Sequence, residues 1–156
     1  MGCRAETGYK LKRITGDRKA AASQNEIIMF SHVTVGTADL ARACIFYDAT
    51  LAPLGITRVG SKYTGWAAWQ RAGEDGKFWV GLPFNQTPAH PGNGWMVAFT
   101  AFTRRGLDEA YAAAMASGGR DEGPPGLRPH FVPNYYGAYV RDLDGNKIHF
   151  VCRAAE

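Results

Sequence analysis

Two histidines, His32 and His149, stand where strand alternation gives each a polar neighbourhood on a sheet face. In Phe30-Ser31-His32-Val33-Thr34-Val35, the residues Phe30, His32 and Thr34 share one face and Val33 and Val35 the other. In Lys147–Cys152, Ile148 and Phe150 form the apolar pair, leaving Lys147, His149 and Val151 opposite. Met96, Ala98 and Thr100 likewise oppose Val97 and Phe99, so His32, Met96 and His149 occupy related places on separate strands. Imidazole is a metal ligand, a proton carrier near neutral pH, or simply a hydrogen-bonded interior ring, and each reading is open for these two. Aromatic residues crowd the same stretches: Trp66, Trp69, Trp79, Trp95, Phe131, Tyr135, Tyr136 and Tyr139. A cavity lined by several of them suits a small, flat or apolar organic molecule. Arg128 and Lys147 are either surface charges or cations for an anionic ligand. Tyr135 and Tyr136, being adjacent, must face opposite ways if their strand is regular.

Certain elements must hold these residues in place. After the first strand, Thr37-Ala38-Asp39 caps a helical run through Leu40, Ala43, Cys44, Tyr47 and Leu51, ended by Pro53 and Gly55. Strands are expected at Ile56–Gly60, Gly65–Arg71 and Phe78–Leu82, the last two joined by a turn-forming Ala-Gly-Glu-Asp-Gly-Lys. That unit reads βαβββ. A shift of the sequence places His32-Val33-x-Val35 on Met96-Val97-x-Phe99, Tyr47 on Tyr111 and Gly55 on Gly119, and a second helix is expected over about Arg104–Ser117. Asp75-Gly76 corresponds to Asp144-Gly145, each before a final strand. Asp142, Asp144, Gly145 and Asn146 read as turn chemistry before that strand rather than as an acidic ligand loop. The chain therefore divides into a polar tail (1–28), a single α+β domain (29–152) and a short C-terminal tail (153–156). Within the domain the expectation is module one over 29–84, a Pro/Gly linker over 85–94 containing His90, and module two over 95–152.

Composition narrows the function classes. The 156 residues are 46% hydrophobic and 21% charged, the make-up of one globular domain with a core. No run approaches the roughly 18 apolar residues of a membrane span and no apolar leader opens the chain, so a cytoplasmic location is expected. Net charge is +4, but the tail carries six basic groups against Glu6, Asp17 and Glu26, so the body is nearly balanced and nucleic acid is discounted. Met1-Gly2-Cys3 does not continue as a myristoylation signal, because Glu6 stands where Ser or Thr is needed. Cys3, Cys44 and Cys152 are odd in number without a CxxC spacing, and read as reduced thiols.

The run His-Val-x-Val-x-x-x-Asp-Leu-x-x-x-x-x-Phe-Tyr at His32–Tyr47, with Pro-Asn-Tyr-Tyr-Gly-Ala-Tyr-Val-Arg-Asp-x-Asp-Gly-Asn-Lys-Ile at Pro133–Ile148, resembles the vicinal oxygen chelate superfamily. That group contains glyoxalase I, bleomycin-resistance proteins and extradiol dioxygenases. The resemblance implies two βαβββ modules forming an open eight-stranded mixed barrel, and a homodimer whose modules can pair across the interface. It also implies a metal site using the first and last strand of each module. Carried over, those positions are His32, Met96, His149, and Val80 or Gly81. Only His32 matches the expected type, and Met96 is a poor ligand for a borderline ion. His130 is the candidate third imidazole of a three-histidine site for zinc, nickel, iron or manganese, the alternative being no metal. Without carboxylate ligands, orthodox glyoxalase I isomerisation is disfavoured. Two functions follow from the resemblance: binding of a small organic molecule in a cavity lined by Met96, Trp66, Trp95, Tyr135, Tyr139 and Arg128, or a metal-dependent lyase, isomerase or dioxygenase acting on an oxygen-chelating substrate.

Overall fold

A computed structural model describes residues 30–155. The polar segment 1–28, the expected domain start at Met29, and Glu156 lie outside the described residues. Strand β1 (His32–Gly36) buries Val35 and exposes His32 and Thr34, as alternation requires. Helix α1 (Leu40–Leu51) begins where the Asp39 side chain accepts from the Arg42 N–H at 3.0 Å. Such a cap satisfies an amide that the first turn leaves without a partner. The helix turns Phe46, Tyr47 and Leu51 into the core and runs into a 3-10 turn (Ala52–Leu54), closed by Gly55 at φ 70°. Strands β2 (Ile56–Val59), β3 (Trp66–Arg71) and β4 (Lys77–Gly81) complete the first unit.

The second unit repeats the plan: β5 (Val97–Thr100), α2 (Arg104–Ala116), β6 (Arg120–Leu127), β7 (Tyr136–Arg141) and β8 (Lys147–Cys152). Thr103 caps α2 by accepting from Gly106 N–H at 3.0 Å. Sheet one is ordered β1-β4-β3-β2 and sheet two β5-β8-β7-β6. In both, the first and last strands pair in parallel and the rest antiparallel. The common order establishes the duplicated α+β architecture.

The strands form two four-stranded mixed sheets that are not closed into a barrel, and the expectation of one open eight-stranded barrel goes beyond this coarser arrangement. β1 and β5 each pair on one side only, with β4 and β8. Side chains, not a backbone ladder, join the sheets: the Phe78 and Phe99 rings meet edge-on at 5.0 Å, and Arg71 Nη2 donates to the Thr100 carbonyl at 2.6 Å. One apolar core runs through both units, from Val35, Phe46 and Trp69 to Leu107, Ile148 and Phe150. β6 is the element the sequence pattern hides, since Gly123, Pro124, Pro125 and Gly126 read as a break. It survives as an edge strand with two register shifts, where a residue lacking an N–H leaves no inner ladder incomplete.

The turn between β7 and β8 fastens the units together. Asp142 Oδ2 accepts from the buried Tyr47 hydroxyl at 2.6 Å, and Asp144 accepts from the Thr37 hydroxyl at 2.7 Å and Ala38 N–H at 3.0 Å. Asn146 Nδ2 donates to the Gly36 carbonyl at 2.9 Å. The acidic turn is thus hairpin chemistry, with Gly145 at φ 87°, and also a clamp on the start of α1. Among the described residues, no helix is long and apolar enough to cross a membrane.

Candidate functional site

The register of sheet one sets His32 beside Lys77 and Thr34 beside Trp79, with Ala68 of β3 next to Trp79. Their alternates Val35, Val80, Ala67 and Trp69 are buried in the core. The outward face holds a groove of about 590 Å³ lined by His32, Thr34, Tyr63, Trp66, Lys77 and Trp79, among others. A Cβ on Gly81 would lie 2.2 Å from the Trp66 ring, so the indole rests flat against a backbone that only glycine permits. Trp79 meets Tyr63 edge-on at 5.7 Å. His32 is exposed, with Nδ1 held 2.8 Å from the Ser31 hydroxyl. The result is an aromatic slot bordered also by one imidazole, one ammonium group and the Asp75 carboxylate.

Sheet two carries a different arrangement. His149 lies level with Ala98 of β5 and Tyr139 of β7. Its ring stacks on Tyr139 at 4.3 Å and 12°, and on Tyr135 at 5.8 Å and 23°. It is only 2% exposed, and its Nε2 has no hydrogen-bond partner. A Cβ on Gly137 would come within 2.8 Å of that nitrogen, so a glycine makes the room in which the imidazole lies. Lys147 and Arg128 sit over the Tyr139 ring at 5.3 and 5.9 Å, and Arg153 over Tyr135 at 5.3 Å. Burial, then the charges of Arg153, Arg128 and Lys147, push the His149 pKa down to about 4. The ring is therefore neutral near pH 7.

Of the residues singled out from the sequence, Tyr135, Tyr139 and Arg128 gather around His149. Trp66 belongs with His32 in the sheet-one groove. Trp95 and Met96 line a separate depression of about 440 Å³ that Arg141 and Lys147 also border. His130 lies against Phe131 at 4.3 Å, and Phe131 in turn against Tyr135, so two rings stand between His130 and His149. Tyr135 and Tyr136 do face opposite ways, since Tyr136 donates to Asp108 on α2. One position is corrected. Thr34 pairs with Trp79 as Ala98 pairs with His149, so the module-one counterpart of His149 is Trp79, neither Val80 nor Gly81. The drift between the modules is one residue larger at this strand than at the turn before it. Tyr63, Arg153 and the two glycines under the rings carry no pattern that alternation could have found.

Within one chain these donors do not suit a resident divalent cation. Among the described residues, no three His, Cys, Asp or Glu side chains converge into a ligand set. A zinc–nitrogen bond needs roughly 2.0–2.1 Å, and the imidazoles sit in separate surroundings. The positive charges of Arg153, Arg128 and Lys147 act on the buried His149 and disfavour a metal ion there. Where the resemblance puts a carboxylate in module one, the structure has an indole.

Comparison with known proteins agrees with this duplicated architecture. The family model described as Glyoxalase/Bleomycin resistance protein/Dioxygenase superfamily matches residues 29–150. A solved structure of a glyoxalase/bleomycin resistance protein from Albidiferax ferrireducens T118 is 40% identical with a TM-score of 0.73, covering 81% of this chain and 100% of that one. A glyoxalase-related enzyme from Fulvimarina pelagi is 20% identical, with a TM-score of 0.61 over 78% of this chain and 86% of that one. A glyoxalase/bleomycin resistance protein/dioxygenase family enzyme from Burkholderia phytofirmans PsJN is 16% identical, with a TM-score of 0.62 over 80% and 98%. The last two are likenesses of fold alone. No curated protein matches the chain.

Proposed function

Because this chain belongs to the glyoxalase/bleomycin resistance protein/dioxygenase superfamily, we propose that it binds a small, flat organic molecule in the groove on the outward face of its first sheet and does so without a resident metal. The observation that carries the reading is the bed made for Trp66 by Gly81, which leaves the indole lining the same 590 Å³ groove as Trp79 and Tyr63. Aromatic walls recognise a planar apolar body by stacking and desolvation, and Ser31, Thr34 and Asp75 add polar groups at the groove's edge. His32 and Lys77 at the same groove supply polar contacts that orient the ligand. The groove's volume is within the range typical of small-molecule sites.

The test is titration with N-phenyl-1-naphthylamine, a neutral fluorophore with a flat naphthalene ring. Saturable enhancement of its emission, weakened at least tenfold in Trp79→Ala, supports the reading. No saturation, or equal binding by the variant, refutes it.

A second reading draws on the unpartnered Nε2 of His149 and the exposed His32. In a homodimer, a second copy would bring the two imidazoles into one site for a metal-dependent lyase, isomerase or dioxygenase. Apolar side chains available for such an interface include Phe84, 99% exposed, together with Trp95, Met96 and Phe131. Sedimentation and elemental analysis of the wild type and a His32→Ala/His149→Ala double variant decide it. Stoichiometric metal in a wild-type dimer, lost in the variant, would replace the metal-free reading with this one.

A further inference from the structure

We infer that the ligand of the sheet-one groove is an aromatic zwitterion, a flat ring bearing both an ammonium and a carboxylate as in an aromatic α-amino acid, with Asp75 and Lys77 taking its two charges. The inference rests on reading that groove as the binding site, and adds the chemical class of its occupant.

The groove is sorted along its length. β1 and β4 run parallel, so Ser31 and His32 at the start of one lie beside Lys77 at the start of the other, and Asp75 lines the same end. Thr34 and Trp79 come next, followed by Gly81 with the Trp66 ring resting on it. Alternate residues of a strand stand about 7 Å apart, so the ionic end adjoins the ring end without mixing with it.

Both charges at the ionic end are open. Among the described residues, no side chain pairs with the Asp75 carboxylate or the Lys77 ammonium, and the two do not pair with each other, whereas Asp48, Glu74, Glu109, Glu122 and Asp144 each hold an arginine. Arg71 takes Glu74 at 2.9 Å and leaves its neighbour Asp75 without a cation.

Opposite charges in one groove select by what each ligand leaves bare. A neutral molecule pressed over them strips water from both and gives a partner to neither. An acid satisfies Lys77 but sets its own charge against Asp75, and an amine does the reverse. A zwitterion offers each a charge-assisted bond while its ring lies among Trp66, Trp79 and Tyr63. Discrimination then comes from the penalty on the wrong ligand as well as from contacts to the right one. A ring alone still fits the ring end, so naphthylamine reports the slot and not the charges.

The experiment is calorimetric titration of the full-length protein with four compounds that share one ring: indole, tryptamine, indole-3-propionate and tryptophan. Tryptophan is expected to bind at least about tenfold more tightly than indole and more tightly than either singly charged compound, the margin shrinking as sodium chloride is raised. Asp75→Asn should weaken tryptophan and tryptamine by roughly three- to tenfold and leave indole-3-propionate no weaker. Lys77→Met should weaken tryptophan and indole-3-propionate by a similar factor and leave tryptamine no weaker. Misfolding does not produce this crossed pattern, and unchanged indole affinity in both variants shows the slot intact. Tryptophan no tighter than indole overturns the proposal, as does either variant weakening all three charged compounds alike. A singly charged compound that matches tryptophan also overturns it, since one charge then suffices. If naphthylamine saturates and depends on Trp79 while tryptophan gains nothing over indole, the groove stands and this inference alone fails. If neither naphthylamine nor any of the four saturates, the groove itself fails.

Discussion

Replacing His149 by phenylalanine keeps a ring between Tyr135 and Tyr139 but removes the only titrating group in that stack with a pKa near 4. In the unfolded chain an imidazole takes its proton near pH 6.5; in the fold it does so only near 4. Above the unfolded value both states are neutral and the group adds no pH dependence. As pH falls between those two values the unfolded state binds a proton that the native state refuses. Stability therefore drops by up to about 1.4 kcal/mol per pH unit, roughly 3 kcal/mol across the window. Below about 4 both states are protonated and the loss stops growing. Urea unfolding, followed by tryptophan emission at several pH values from about 7 to about 4.5, reads this directly. Asp142, whose carboxyl burial pushes upward, works in the opposite sense, favouring the fold as it takes up its proton. Subtracting the curve of the His149→Phe variant from the wild-type curve cancels that contribution. A difference that stays flat across the window would show that the imidazole is not held neutral by burial and by Arg153, Arg128 and Lys147.

Three further perturbations follow from the packing. Gly81→Ala drives a methyl group into the Trp66 ring and should cost about 1–3 kcal/mol in urea unfolding, with naphthylamine affinity reduced because the indole is displaced. Full stability and full binding together would mean that Trp66 does not rest on Gly81. Tyr47→Phe leaves Asp142 without its 2.6 Å donor in the core and should lower stability by about 1–3 kcal/mol while leaving naphthylamine binding unchanged. Asp39→Ala removes the α1 cap and should cost about 1 kcal/mol in the same assay, with Asp39→Asn recovering most of it.

Local rules made much of the fold legible. Alternating apolar residues in His32–Val35 and Lys147–Cys152, caps at Asp39 and Thr103, and Gly55 at a helix end each belong to short stretches whose physics is self-contained. The strand-and-helix repeat needed only a shifted comparison of the chain with itself. β6 stayed hidden because an edge strand tolerates the prolines that mark a break elsewhere. Closure into a barrel was not local: whether β1 and β5 join depends on what side chains put between them, and Arg71 reaches Thr100 from a strand outside the pair. The site divides the same way. That His149 faces away from Ile148 is a matter of period, but Trp79 as its counterpart follows from strand register, and Arg153 over Tyr135 from three-dimensional proximity.

The clamp formed by Asp142, Asp144 and Asn146 also bears on how the chain is made. Tyr47 and Thr37, both fully buried, belong to the half that leaves the ribosome first, yet their acceptors Asp142 and Asp144 follow 95 and 107 residues later. Thr37 also has a local partner, its hydroxyl donating to the Asp39 carbonyl at 3.1 Å, whereas the Tyr47 hydroxyl has its acceptor in the second half and without it must bond to water. Closing contacts so distant in sequence carries a loop-entropy cost that local helix and hairpin formation does not. The repeated halves are thus alike in plan but unequal in what they need: the buried Tyr47 hydroxyl of the first is satisfied by the last hairpin of the second, which ties the two copies together.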